Sequence, residues 1–215
     1  MKNLIIYGAG DYGEELVWYI NEINAVNDEW RILGFIDDGM EQGTVVYGYP
    51  VLGAMDYLEN YNEEVYVICS IALPHIKKKI IEKLSHNNKI KYPVIIHPSA
   101  VIADDVVIGE GTCVGANAVI SIKAEIGRHA IVDQLANVGH HSVIGEYTLI
   151  APGSAIGGHV KIGNLVDMGI GCRVMMLAEV EDNVILGAGA VVVKNIPANC
   201  TAVGVPAKPI KFREE

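Results

Sequence analysis

The chain has 215 residues, a formal net charge of −10 and a hydrophobic fraction of 51%. That acidity disfavours nucleic acid and anionic membrane surfaces as partners, because phosphate binding requires a basic face. No apolar run reaches the ~20 residues of a membrane span, and the start MKNLIIYGAGDYGEE is apolar too briefly for a signal peptide.

Leu4–Tyr7 reads as a short buried strand, followed by Gly8-Ala9-Gly10-Asp11-Tyr12-Gly13. A helix is predicted next, with Leu16, Val17, Ile20 and Ile23 on one face. A second strand, Ile32–Ile36, ends at Asp37-Asp38, and a third, Val65–Cys69, precedes a helix with Ile76, Ile80, Ile81 and Leu84 on one side. This βαβ order implies a parallel sheet, and hence a Rossmann-like α/β domain over residues 1–92. The glycine motif lies between strand and helix, where backbone N–H groups and the helix dipole hold a phosphate. Gly8, Gly10, Asp11, Tyr12 and Gly13 are therefore expected to bind substrate, with Asp37 and Asp38 where a ribose or base would lie. The alternative is a tight β–α turn with no ligand. An NAD site needs two mononucleotide-binding halves, and ninety residues supply barely one. A nucleotide held through its pyrophosphate fits the available chain better.

Beyond residue 92 the pattern changes. An aliphatic residue recurs every six positions, from Ile102, Ile108 and Val114 through to Leu186 and Val192, sixteen times without a miss. The position two before each is always small or β-branched, and glycine follows nine times, for example at Gly109, Gly139 and Gly187. A period of six fits neither a helix nor a two-faced strand. It is the signature of a hexapeptide β-helix. Each hexad supplies one short strand and one turn; the repeating aliphatic and the small residue point inward, and glycine permits a tight corner. Three hexads close one triangular coil of eighteen residues. Stacked at ~4.8 Å, a little over five coils make a prism roughly 25 Å long. Each buried aliphatic contributes ~1.5–3 kcal/mol. The tail from Ile196, with Pro197, Pro206 and Pro209, is expected to break the strand pattern and cap the prism. The second domain spans 93–215.

His141 and His159 are eighteen residues apart, so they should stack one coil from each other, with Lys123 one coil before. His140 should point away from His141, since adjacent strand residues face opposite ways. For His159 the readings are a surface histidine, a group beside a bound coenzyme, or a metal ligand. His75, His86, His97 and His129 read as ordinary surface or turn residues. Met175 and Met176 depart from the turn pattern and suit an apolar groove or subunit contact. Cys69, Cys113, Cys172 and Cys200 are isolated and read as buried thiols in a reducing compartment, the cytoplasm.

The stretches YGAGDYG (Tyr7–Gly13), GFIDD (Gly34–Asp38), HPSAVIADDVVIGEGTCVGANAVI (His97–Ile120), HSVIGEYTLIAPGSAIGGHVKIG (His141–Gly163), VILGAGAVVVKNIP (Val184–Pro197) and VGVPAK (Val203–Lys208) together resemble the bacterial sugar acetyltransferases of the PglD/NeuD type. The resemblance implies a Rossmann-like nucleotide-sugar domain followed by an all-β left-handed parallel β-helix. It implies acetyl-CoA as co-substrate, no metal, and a homotrimer with the coenzyme in a groove between prisms. His140 falls on the family's general-base position. His141 stands where relatives carry an orienting acid, and Asp133, Glu146 or a neighbouring subunit's acid would substitute for it. Gly158, one coil on from His140, would hold the thioester oxygen through its N–H. Gly187, Ala188 and Gly189 would continue the coenzyme groove, with Lys208 or Lys211 near a phosphate. The segment Ser70–His75 departs from the family's pattern. The function implied is N-acetylation of a nucleotide-linked amino sugar. The alternatives are O-acetylation of a sugar such as sialic acid, a non-catalytic nucleotide-sugar-binding scaffold, and a metal-dependent lyase resembling γ-class carbonic anhydrases.

Overall fold

The apolar run near the start forms the middle of a parallel sheet. In the computed structural model, which describes residues 1–213, strand β1 (Lys2–Tyr7) buries Leu4, Ile5 and Ile6 completely. It pairs in parallel with β2 (Trp30–Ile36) on one side and β5 (Val65–Cys69) on the other. Helix α1 (Asp11–Val26) links β1 to β2 and buries Leu16, Val17, Tyr19 and Ile20. Between β2 and β5 lie an antiparallel pair, β3 (Val45–Val46) and β4 (Tyr49–Gly53), and a short helix α2 (Met55–Glu59). This hairpin was not predicted, although Tyr47 and Gly48 at its tip both take positive φ, the geometry that closes a two-residue turn. Helix α3 (Pro74–Leu84) follows β5, then β6 (Ile90–Lys91) and β7 (Ile95–Ile96). On α3 the expected face is wrong by one residue. Ile76 is 47% exposed, while Lys77 is 1% exposed and shares the inner face with Ile80, Ile81 and Leu84. His97 is also buried rather than superficial, packed edge-on against Tyr19 and tilted against Trp18.

The chain divides into two compact units, Met1–Pro98 and the part from Ser99 onward. Glu214 and Glu215, the end of the second expected domain, lie outside the described residues. No described helix is long and apolar enough to cross a membrane.

The second unit is a left-handed hexapeptide β-helix. Two-residue strands stack into three parallel faces, and strand pairs from Val101 to Val192 are eighteen residues apart. Face one runs from Val101–Ile102 through Asn137–Val138, Ala155–Ile156 and Arg173–Val174 to Val191–Val192. Face two runs from Val107–Ile108 to Glu179–Val180, and face three includes Cys113–Val114 through Ile185–Leu186. Of the sixteen repeating aliphatics, fourteen are buried; Ile102 and Ile108, in the first coil, are half-buried. The polar members of the small inward set are satisfied internally. Ser142 and Thr148 each donate at 2.8 Å to the carbonyl of the glycine fifteen residues on, Gly157 and Gly163. That removes the cost of burying an unpaired hydroxyl.

The glycines after the aliphatics are needed for a different reason from the one expected. None of them has positive φ. A Cβ on Gly127 would instead lie 2.6 Å from the backbone of Gly145 and Glu146 in the next coil. Glycine at this position lets successive corners stack. The left-handed conformation falls two residues later: all fourteen positions from Gly111 to Gly189 at six-residue intervals have positive φ, including Asn117, His141, His159 and Asn183. The tail also differs from expectation. Ile196 bridges to Val180, Cys200–Val203 continues face three in parallel with Ile185–Leu186, and Lys208–Phe212 folds back on it antiparallel.

These two glycine roles separate experimentally. Gly127→Ala should lower unfolding stability by about 1–3 kcal/mol through overpacking. Gly153→Asn should be nearly neutral, because Gly153 has open space around it and Asn tolerates positive φ. Urea unfolding midpoints of the two variants measure the contrast.

Candidate functional site

Gly8, Asp37 and Ser70 converge at the carboxyl ends of β1, β2 and β5, the crevice where open parallel sheets bind ligands. Gly8 has φ +105, and its Cα faces Ser70 Oγ and Ile71, so no larger residue fits. Gly13 packs its Cα against the Gly8 carbonyl. Gly10 differs. It caps α1 with φ −82, an ordinary conformation for any residue, and nothing lies within 4 Å of where its Cβ would be. The loop is glycine-rich for packing at Gly8 and Gly13 and for open space at Gly10. Asp11 opens α1, and with Glu14 it sets two carboxylates in the first turn. Tyr12 follows it, half-buried.

The two acids of β2 are engaged within the chain. Asp37 accepts from the N–H of Ala9 and Gly39 at 2.9 Å each, which ties the glycine loop to the end of β2. Asp38 accepts from Tyr7 Oη at 2.6 Å and from the Met55 N–H at 2.8 Å. Burial first, then the bond to Asp38, pushes the Tyr7 phenol well above its ordinary range, so it stays protonated and donates. Ser70 Oγ lies 2.9 Å from both the Tyr7 and Gly8 carbonyl oxygens. Tyr7 and Ser70 had not been singled out as site residues; each stands beside a residue that was.

In the β-helix the histidines gather at the corner after face one. His141 and His159 stack as expected, ring centroids 4.6 Å apart and planes 16° from parallel. His140 joins them, contrary to expectation: its Nδ1 is 3.2 Å from His141 Nδ1, and its ring is edge-on to both neighbours. The alternation that should have separated them applies only to extended strand. Here His141 has φ +58, which turns its side chain back beside His140. His140 also lies over Gly158, where a Cβ would come within 2.6 Å of its Nε2. The Gly158 carbonyl accepts from Leu177, but its N–H donates no hydrogen bond among the described residues. His140, Gly158, Met175 and Met176 line a mainly apolar groove of about 460 Å³, with Ala155 and Arg173 on its floor. Arg173 was not anticipated. Its position, just before a buried aliphatic, marks an outward residue of face one.

The acids proposed to orient His140 lie elsewhere. Glu146 is on the next corner, ion-paired with Arg128 at 2.9 Å, and Asp133 is on the preceding one. Gly187, Ala188 and Gly189 form that preceding corner several coils on, on the other side of face one, and do not line the groove. Lys208 and Lys211 sit exposed in the last strand. His129 is buried, stacked 12° from parallel on Tyr147, so it is a packing residue rather than a surface one.

His141 is held below the ordinary histidine value of 6.5, by desolvation first and then by His159, Lys123 and His140. Between its folded value and 6.5 the unfolded chain binds more protons, so this residue's share of stability is present above that window and lost as pH falls through it. Imidazole titration by NMR should place His141 below 6.5, and Lys123→Gln should raise it. An unshifted His141, or no response to that substitution, would contradict the charge coupling.

The PglD N-terminal domain family matches residues 3–84, and the bacterial transferase hexapeptide family (six repeats) matches residues 93–121. GDP-perosamine N-acetyltransferase from Escherichia coli O157:H7 is 30% identical over 200 residues, 93% of this chain and 81% of that protein. UDP-N-acetylbacillosamine N-acetyltransferase from Bacillus subtilis is 30% identical over 119 residues, 54% of this chain and 52% of that protein. The chain thus spans about half of the latter, and 21% of the serine acetyltransferase of Synechococcus elongatus, which matches over 52 residues. Among solved structures, the acetyltransferase domain of PglB from Neisseria gonorrhoeae, in complex with acetyl coenzyme A, matches with a TM-score of 0.88 and 30% identity, over 97% of this chain and 99% of that one. A histidine-to-asparagine mutant of perosamine N-acetyltransferase from Caulobacter crescentus, in complex with CoA and GDP-perosamine, matches with a TM-score of 0.89 and 27% identity, over 98% of each chain. With a relative 30% identical across most of both chains, and a matching order of nucleotide-sugar unit and hexapeptide β-helix, the chain belongs to the PglD-type sugar N-acetyltransferases.

Proposed function

We propose that the protein moves the acetyl group of acetyl-CoA to the amine of a nucleotide-linked amino sugar. The observation that carries this reading is His140, packed against Gly158 in an apolar groove, with His141 at hydrogen-bond distance and the Gly158 N–H donating no bond among the described residues. The relatives named as nucleotide-sugar N-acetyltransferases support the substrate class.

The chemistry follows from the groups present. Acetyl-CoA supplies an activated acyl carbon. His140 Nε2 accepts the proton that the attacking amine sheds. Gly158 N–H meets the charge that develops on the thioester oxygen. His140 then returns its proton to the departing thiolate. For Nε2 to act as base, Nδ1 must carry the proton and donate it to an acceptor. His141 Nδ1 is that acceptor, 3.2 Å away. The lowered proton affinity of His141 keeps it neutral, and so able to accept, at physiological pH. The imidazole pair replaces the histidine–acid pair that the family resemblance implies.

In the first unit, Gly8, Gly10, Asp11, Tyr12, Gly13, Asp37 and Asp38 are assigned to the nucleotide sugar, on their place around the carboxyl ends of β1 and β2, the Asp37–Ala9 bond and the open space at Gly10. A homotrimer is inferred because the groove is open and its rim is apolar. Met175 and Met176 are 52% and 58% exposed, and a second copy would supply the missing wall. Cytoplasmic location is inferred from four free, buried cysteines.

His140→Ala should retain acetyl-CoA binding and lose about 10²–10⁴-fold in acetyl transfer. His141→Asn should lose less. Free-thiol release, followed against a panel of UDP-, GDP- and dTDP-linked amino sugars, tests both. Wild-type turnover by His140→Ala would refute the base assignment, and transfer to hydroxyl sugars alone would favour O-acetylation. Gly10→Leu should cost no more than about 1 kcal/mol of stability but abolish nucleotide-sugar binding with acetyl-CoA binding intact. Equal loss of both ligands would argue against the division of labour. Sedimentation at micromolar concentration should give three chains, and a monomer would overturn the shared groove.

A further inference from the structure

We propose that His140, His141 and His159 form a site for a divalent transition-metal ion such as Zn²⁺, and that the bound ion switches acetyl transfer off. One ring nitrogen from each histidine lies within 4.8 Å of the other two. One pair of ring nitrogens, His140 Nδ1 and His141 Nδ1, is already at 3.2 Å. Two nitrogens each ~2.0–2.1 Å from a tetrahedral ion lie roughly 3.4 Å apart. That spacing already suits a shared ion, and side-chain rotation would aim the lone pairs and bring in the third ring. All three rings are exposed, which leaves room for water as a fourth ligand.

The backbone beneath the rings is fixed. His141 and His159 share the same left-handed turn position, with φ +58 and +56. The His159 N–H donates to the His140 carbonyl at 2.9 Å, and the His141 N–H donates to the Ile122 carbonyl at 2.9 Å. The donors thus sit on paired coils of a parallel stack rather than on independent loops. Three imidazoles without a carboxylate select zinc, copper or nickel over magnesium or calcium. Lys123, one coil before His141, sets a cation nearby and weakens the site. Asp105, which accepts from the Lys123 N–H at 3.1 Å, offsets part of that charge.

The consequence for activity rests on the role given to His140 above. An imidazole that commits one nitrogen's lone pair to a metal carries its proton on the other. With Nδ1 on the ion, His140 Nε2 becomes a donor and cannot accept the amine's proton. The ion acts here as an inhibitor, and no step of the transfer uses it.

The test titrates the chelator-treated full chain with Co²⁺, whose visible absorbance reports tetrahedral coordination, and then with Zn²⁺ as competitor. One ion per chain is expected. His159→Asn removes one ring and keeps a residue that Asn117 and Asn183 show fits this turn position. Its metal affinity should fall by more than about tenfold, since losing even an outer-shell partner costs 10–100-fold. Saturating Zn²⁺ should slow wild-type transfer by about 10²–10⁴-fold, reversibly with EDTA. His159→Asn should keep its metal-free rate and resist the same Zn²⁺ concentration. No binding, equal affinity in both proteins, or transfer unaffected in a metal-loaded wild type would each overturn the proposal. If metal-free wild type fails to acetylate any amino sugar, the functional reading falls, and the Co²⁺ titration still decides the site.

Discussion

The second unit rests on one constraint: residue i pairs in register with residue i+18 at a single strand spacing, coil after coil. At that spacing a Cβ on one corner crowds the backbone of the next, as at Gly127, and its absence makes the stacking easiest. This places glycine directly after so many of the inward aliphatics. The chain must then reverse within three residues, and a left-handed residue does it each time. Whatever side chain occupies that residue is carried outward, above and below its counterparts. The histidine stack is therefore a product of the coil geometry before it is a product of chemistry. Two imidazoles at consecutive turn positions have little choice but to meet face to face.

The same register satisfies the interior. A purely aliphatic prism would leave the corner carbonyls without partners. The serines and threonines among the small inward residues donate to them, and Cys172 repeats the pattern with its thiol 3.2 Å from the Gly187 carbonyl. In the first unit the governing constraint is different. Three parallel strands end together, and their ends are laced by Asp37 to Ala9, Asp38 to Tyr7, and Ser70 to the Tyr7 and Gly8 carbonyls. These bonds fix the glycine loop on the strand ends and leave space beside Gly10.

The period of six made the prism, its interior and the His141–His159 stack legible in the sequence, because each follows from counting. Conformation at the turns was not legible. Periodicity says which residues point inward, not which one adopts positive φ, so the pairing of His140 with His141 and the reason for the glycines were both misjudged. The tail was misread for a related reason. Its prolines suggested broken strands, yet Pro209 lies in an edge strand, where its missing N–H costs nothing. On α3 the expected face took Ile76, while Lys77 in fact faces inward near Cys69. Burial of His97 and His129 depends on aromatic neighbours distant in sequence, Trp18 and Tyr19 in one case and Tyr147 in the other.

Replacing an orienting carboxylate by an imidazole changes more than the identity of one hydrogen-bond partner. A carboxylate accepts from the base through a charge-assisted bond about twice as strong as a neutral one, and it stabilises the imidazolium that forms when the proton arrives. His141 offers the directional half of that help without the charge. In the proposed transfer the bond to His141 fixes the His140 tautomer that leaves Nε2 free, without the charge a carboxylate would set beside the imidazolium. In the same proposed transfer the groove around His140 would favour an amine that arrives neutral, because an apolar lining penalises an ammonium ion more than a neutral amine.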